Sequence, residues 1–198
     1  NNWNEDRKLR KLETKILNGI QYNLGIDKTQ VTRDISLFDS IIHHAETLKE
    51  SMNSDLPYNN EMAKSFALIS IFDVWEVDNA VFESLKSAGT NIVSDEYLRN
   101  KIINYYKLSD HINGIEAYFE NGKYFRQNIY PKYFKSYRYG REAEPADYES
   151  LKASNEFKVA LDYCINDGHF YRRMSENRID KIKELDSLIS MELGLKRE

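Results

Sequence analysis

The feature that most constrains this chain is an apolar rhythm that runs from Leu9 to Met52 without a proline. Through Leu9, Leu12, Ile16, Ile20, Leu24, Val31, Ile35, Phe38, Ile42, Ala45 and Met52 the steps are mostly three, four or seven residues. A seam with that period specifies a helix rather than a strand. Gly19 and Gly25 each cost up to ~1 kcal/mol relative to alanine, yet the register passes through both, so they read as places of close packing or bending. The run Asn53-Ser54-Asp55-Leu56-Pro57-Tyr58-Asn59-Asn60 is dense in turn formers and closes the helix. Helix 1 is therefore expected over 4–52, about 70 Å long at 1.5 Å per residue.

A second helix is expected over 61–88, capped by Asn60 and carrying Met62, Phe66, Ile69, Phe72, Val74, Trp75, Val77, Val81 and Leu85 to a stop at Gly89. The part from Phe66 to Val77 also has the composition of a strand, but no partner strand is evident. Ser94, followed by Asp95 and Glu96, makes a good helix start. Leu98, Ile102, Tyr105, Ile112, Ile115, Phe119, Ile129 and Tyr133 then extend a third helix over 95–136, with Pro131 as a kink. The stretch from Gly140 to Ser154 reads as the longest loop. A fourth helix over 155–194 follows Phe157, Leu161, Cys164, Gly168, Tyr171, Ile179, Ile182, Leu185, Ile189 and Leu193. Asn166-Asp167-Gly168 is a breaker signal in its middle, although the register stays in phase across it.

Four long amphipathic helices predict an all-α fold, an antiparallel bundle with its first helix extended. Helix 1 is about twice as long as helix 2, so its surplus is expected to pack on other helices or on a second copy of the chain. Composition agrees: three prolines, eight glycines and 30% charged residues suit long solvated helices. The 198 residues are expected to form a single domain. A net charge of −4 argues against general nucleic-acid binding, which rests on a basic surface that neutralises phosphates. The lone Cys164 has no partner for an internal disulfide and falls on an apolar face, as a buried core residue does. No stretch approaches the ~20 apolar residues of a membrane span.

The opening Asn1-Asn2-Trp3-Asn4-Glu5-Asp6-Arg7-Lys8 puts a tryptophan among asparagines ahead of a charged helix, and Trp rings settle at the headgroup level of a bilayer. This segment resembles the juxtamembrane motif of a family of uncharacterised Gram-negative bacterial proteins anchored by one N-terminal membrane helix. Further similarity lies at Ser87-Ala88-Gly89, at Leu98-Arg99 leading to Tyr105-Tyr106, and at Leu185, Ile189 and Leu193. The resemblance implies an extracytoplasmic domain, held in the periplasm by an inner-membrane helix that precedes the given chain. It supplies no activity. It also implies a direction, with the turn near Pro57 and the segment 137–154 at the membrane-distal tip.

The most unusual local composition is Lys123 to Arg141, which holds six cations, seven aromatic residues and no acidic residue. Arg126, Tyr130, Lys132, Lys135, Tyr137, Arg138, Tyr139 and Arg141 are the candidate partner-binding residues. Tyrosine and arginine are enriched at interfaces, and cations beside aromatic rings suit a protein partner or an anionic ligand. The competing reading is structural: the aromatics fill the seam and the cations pair with Glu142, Glu144, Asp147 and Glu149. An alternative site is a small-molecule pocket between helices lined by Trp75, Tyr105, Tyr106 and Tyr118, as in a sensory input domain.

No enzyme activity is expected. His43 and His44 point about 100° apart on a helix, so at most one joins Asp39 or Glu46, and no zinc or di-iron pattern occurs. His111 and His169 lack a partnered nucleophile. No cofactor, metal site or nucleic-acid partner is expected.

Overall fold

The computed structural model describes residues 2–54, 56–71, 75–113 and 117–195, without the side chains of 2, 111–113, 117–119, 121 and 195. The chain is mostly helical and carries one small two-stranded sheet. Its elements are α1 (Asn2–Met52), α2 (Asn60–Leu68), α3 (Ala80–Ala88), a 3-10 turn (Thr90–Ile92), α4 (Glu96–Asn113), α5 (Ala117–Tyr124), a π-helical turn (Phe125–Ile129), α6 (Tyr130–Tyr133), β1 (Phe134–Arg138), β2 (Glu142–Pro145), α7 (Tyr148–Ala153) and α8 (Asn155–Leu195). The expected first and fourth helices are thus each continuous. No helix among the described residues is long and apolar enough to cross a membrane.

Contacts group the chain into two compact units. The first comprises Asn1–Thr32, Trp75–Ile115 and Asn177–Glu198, and the second comprises Arg33–Val74 and Glu116–Glu176.

In the first unit the seam of α1 buries Ile16, Leu17, Ile20, Leu24 and Val31 against α3, α4 and α8, which supply Phe82, Leu85, Ile102, Tyr106, Ile182 and Leu185. Leu9 and Leu12, the first residues of the expected seam, remain exposed. Gln21 donates to Asp186 and Ser190, which ties α1 to α8 here. The Cβ of an alanine at Gly19 would come within 3.2 Å of Val81, which accounts for that glycine as a close approach to α3.

In the second unit Phe38, Ile41, Ile42, Ala45 and Leu48 of α1 are buried together with Phe157, Leu161 and Cys164 of α8. Lys49–Asp162 and Asp39–Arg172 ion pairs, 2.5 and 2.6 Å, set the two helices antiparallel. Cys164 is fully buried and its thiol donates to the Ile69 carbonyl at 3.5 Å. At Gly168 an alanine Cβ would lie 2.7 Å from Ile42 Cγ1. The glycine marks a close contact of α8 with α1, and the helix continues through the expected breaker.

Two expected helices are not continuous. The helix drawn over 61–88 ends at Leu68 and restarts at Ala80. Side chains that hydrogen-bond to nearby backbone compete with helical geometry, and they do so on both sides of the gap: Ser70 Oγ donates to Ala67 O, and Asp78 accepts from Ala80 N. The cap is Asn59 rather than Asn60, its side chain accepting from Glu61 N and Met62 N. Phe72 and Val74 lie outside the described residues.

The helix drawn over 95–136 begins with Asp95, whose carboxylate accepts from Leu98 N, while Ser94 turns to Glu13. It holds as α4 to Asn113. The expected seam side chains Ile112, Ile115 and Phe119 lie outside the described ones. Further on, the chain widens into the π-helical turn before Pro131, with Tyr130 N donating to Phe125 O. Pro131 has no N–H to offer the preceding turn, and a wider turn takes up the mismatch. Residues 134–136, expected as helix, instead begin the antiparallel hairpin β1–β2. The expected loop over 140–154 contains β2 and α7. A three-residue turn joins the strands, with Arg141 N donating to Arg138 O and Gly140 at φ +63°.

Candidate functional site

The Lys123–Arg141 segment belongs to the second unit, and its residues divide sharply by environment. Tyr130 is buried, its hydroxyl donating to Phe66 O at 2.6 Å, and burial pushes its phenol well above the ordinary range. Tyr137 is half-buried against the Tyr130 ring and shares a 3.3 Å hydrogen bond with Ser70. Together these tyrosines attach the hairpin to α2.

Three of the cations are paired. Lys132 meets Glu156 at 2.5 Å, Lys135 meets Glu144 at 2.6 Å, and Arg138 binds Glu142. Glu156 also accepts from the Tyr133 hydroxyl at 2.7 Å. The hydrogen bond from Lys132, then that from Tyr133, holds the Glu156 carboxyl below its ordinary pKa, and the same pair pushes Lys132 up to about 12. The acidic run thus supplies two of the expected internal partners, Glu142 and Glu144. Asp147 instead caps α7 through Glu149 N and Ser150 N. What the segment still presents is Lys123, Arg126 and Arg141, exposed and without an ion pair among the described residues, and the exposed Tyr139. Beside Glu156 lies an open groove of about 440 Å³, walled by Tyr124, Val159 and Tyr163.

A different constellation sits in the core of the first unit. Asp27, from α1, is 2% exposed. Its carboxylate accepts from Trp75 Nε1 at 2.9 Å and from the Tyr105 hydroxyl at 2.8 Å. Arg178, from α8, is also 2% exposed, and its Nη1 donates to Trp75 O at 3.2 Å. Burial raises the Asp27 pKa, and the two side-chain hydrogen bonds and the Arg178 charge work against that rise. Tyr105 is displaced strongly upward, by burial first and then by the neighbouring Asp27 charge. Tyr106 stacks on Phe82 at 4.4 Å, and its buried hydroxyl has no hydrogen-bond partner. Arg178 Nε and Nη2 are likewise buried without partners among the described residues.

The expected pocket residues Trp75, Tyr105 and Tyr106 therefore do converge, whereas Tyr118 lies outside the described side chains. Asp27 and Arg178 were missing from the expected set, although the sequence marks their positions. Asp27 falls three residues after Leu24 and four before Val31, inside a seven-residue step of the α1 seam. Arg178 falls seven after Tyr171, inside the eight-residue step of the α8 seam from Tyr171 to Ile179. A charged residue on the core-facing stripe of a helix is the signal, since such residues are almost never fully buried unless paired.

His43 and His44 hold no shared site: Asp39 pairs with Arg172, and His44 Nδ1 bonds Ser65 Oγ at 2.9 Å. His111 lies outside the described side chains. Among the described residues no group of three metal-ligating side chains occurs. The structural comparisons are equally plain. No protein-family model, no curated protein and no solved structure matches the chain.

Proposed function

We propose that this chain is a non-catalytic helical binding domain that engages a protein partner through the turn of the β1–β2 hairpin, as an accessory or scaffold subunit. The observation that carries this reading is Tyr139, 58% exposed at the turn and followed by Gly140 and the exposed Arg141. An exposed tyrosine two residues from an arginine that forms no ion pair among the described residues, on a turn fixed by strand pairing, is pre-organised for association. The tether to an inner membrane and the periplasmic address are part of the same proposal and rest on the resemblance of the opening Asn1-Asn2-Trp3-Asn4-Glu5. Trp3 is exposed, with the Arg7 guanidinium 5.7 Å from its ring.

Crosslinking of the full-length protein in its native cells tests the proposal, with Tyr139→Ala and Arg141→Glu beside the wild type. A partner captured by the wild type and lost from both variants supports it. If every specific partner is captured equally by all three, the hairpin turn is not the contact. Protease accessibility in intact and outer-membrane-permeabilised cells tests the address separately; digestion only after the inner membrane is broken overturns it.

A sensory input domain that binds a small molecule is the second reading. What favours it is the convergence of Trp75, Tyr105, Asp27 and Arg178 in one buried cluster, because an ordinary helical core is filled by apolar side chains.

A further inference from the structure

We propose that the buried polar cluster of the first unit is a binding site for a small organic monocarboxylate, seated on the Nε/Nη2 edge of Arg178. This inference deepens the sensory reading and is independent of the hairpin turn. Guanidinium N–H groups are five fixed donors that cannot be removed by deprotonation, and leaving them buried without acceptors is costly. Arg178 commits Nη1 to Trp75 O, while Nε and Nη2 are both buried and unpartnered. Those two atoms lie on the same edge of the guanidinium and donate in parallel, which is the geometry that takes both oxygens of a carboxylate.

The cluster's own carboxylate does not fill that edge. Its two oxygens accept from Trp75 and Tyr105, at 2.9 and 2.8 Å, and neither bonds Arg178 Nε or Nη2. Trp75 bonds both groups, Asp27 through its indole N–H and Arg178 through its carbonyl.

Charge narrows the ligand. The buried cluster holds one carboxylate, Asp27, and one guanidinium, Arg178. A monocarboxylate is matched by the one guanidinium, whereas a dianion leaves a second charge buried without a counter-ion. Trp75, Tyr105 and Tyr106 make the surroundings of the cluster aromatic, the Tyr105 and Tyr106 rings meeting edge to face at 5.2 Å. Trp75 is only half-buried and brings the cluster toward solvent.

The chain has two tryptophans, so the indole N–H resonance of Trp75 is assigned by Trp3→Phe and reports on the site in the otherwise intact protein. At matched ionic strength the full chain is titrated separately with acetate, benzoate, inorganic phosphate, benzamide and benzylamine. The expected result is a saturable shift of the Trp75 indole N–H with benzoate or acetate and none with phosphate. Arg178→Lys should weaken that binding at least tenfold. If Arg178→Lys fails to fold, the arginine Nε–H spectrum of the wild type must show one resonance moving with the same saturation curve.

No saturable response to either carboxylate overturns the proposal, as does an equal response to phosphate or an unchanged affinity in a folded Arg178→Lys. A response to benzamide or benzylamine alone leaves the small-molecule reading standing and removes the carboxylate. No response to any of the five removes both.

Discussion

The rings of Tyr130 and Tyr137 lie face to face, 4.1 Å apart between centroids with their planes 23° from parallel. The stack joins α6 to β1, and the Tyr130 hydroxyl continues it into α2 by donating to Phe66 O. Removing a buried aromatic side chain costs about 3–5 kcal/mol, so Tyr130→Ala should lower the unfolding free energy by that order. Tyr137→Ala gives up an aromatic pair worth about 0.5–1.5 kcal/mol beyond its burial, and should cost distinctly less. Urea denaturation followed by circular dichroism measures both, and equal losses would contradict the stack as drawn.

Two glycines within helices should respond to alanine in opposite directions. Gly168→Ala places a Cβ 2.7 Å from Ile42 Cγ1 and should destabilise by about 1–3 kcal/mol through overpacking. At Gly25 nothing lies within 4 Å of a new Cβ, so Gly25→Ala should stabilise by up to about 1 kcal/mol through helix propensity. The signs are read from chemical denaturation midpoints.

Asp27 makes stability depend on pH in an unusual direction for a carboxylate. Its folded-state pKa is raised above 3.8 by burial, so the folded protein holds this proton more tightly than the unfolded chain. The resulting stabilisation is full below the unfolded value and is lost as pH rises through the folded one. Across pH 3.8 and upward, wild-type stability should therefore fall relative to Asp27→Asn. Paired denaturation curves at a series of pH values check the slope.

His44 gives the opposite slope. Burial, with smaller contributions from His43 and Lys64, lowers its pKa below 6.5, while its ring bonds Ser65. The unfolded chain binds this proton more readily, so the stability present above pH 6.5 should be lost as pH falls through the folded value. In His44→Gln that acid-side loss should shrink, as thermal unfolding between pH 7 and 5 would record.

The lone Lys135–Glu144 and Arg138–Glu142 pairs are exposed. Exposed pairs are worth about 0–1 kcal/mol each, so Lys135→Glu should cost no more than that. Combining it with Glu144→Lys should recover most of the loss in a double-mutant cycle.

By itself the sequence determined the two longest helices and the burial of Cys164. A 3.5 to 3.6-residue repeat of apolar side chains is a local property, and it runs far enough through α1 and α8 to outweigh Gly19, Gly25 and Gly168. Only the tertiary structure decided what replaces the apolar residue where those seams skip. Asp27 and Arg178 stand on core-facing stripes, and whether such a charge is buried depends on Trp75 and Tyr105, distant in the chain, being there to bond. The same holds for the ends of the remaining elements. Ser70 bonds back to Ala67 O where α2 ends, Asp78 accepts from Ala80 N where α3 begins, and Phe134 enters a strand because Pro145 and Glu144 lie opposite to pair with β1. Periodicity reports which face of a segment is buried; the partners that satisfy its polar groups come from elsewhere in the chain.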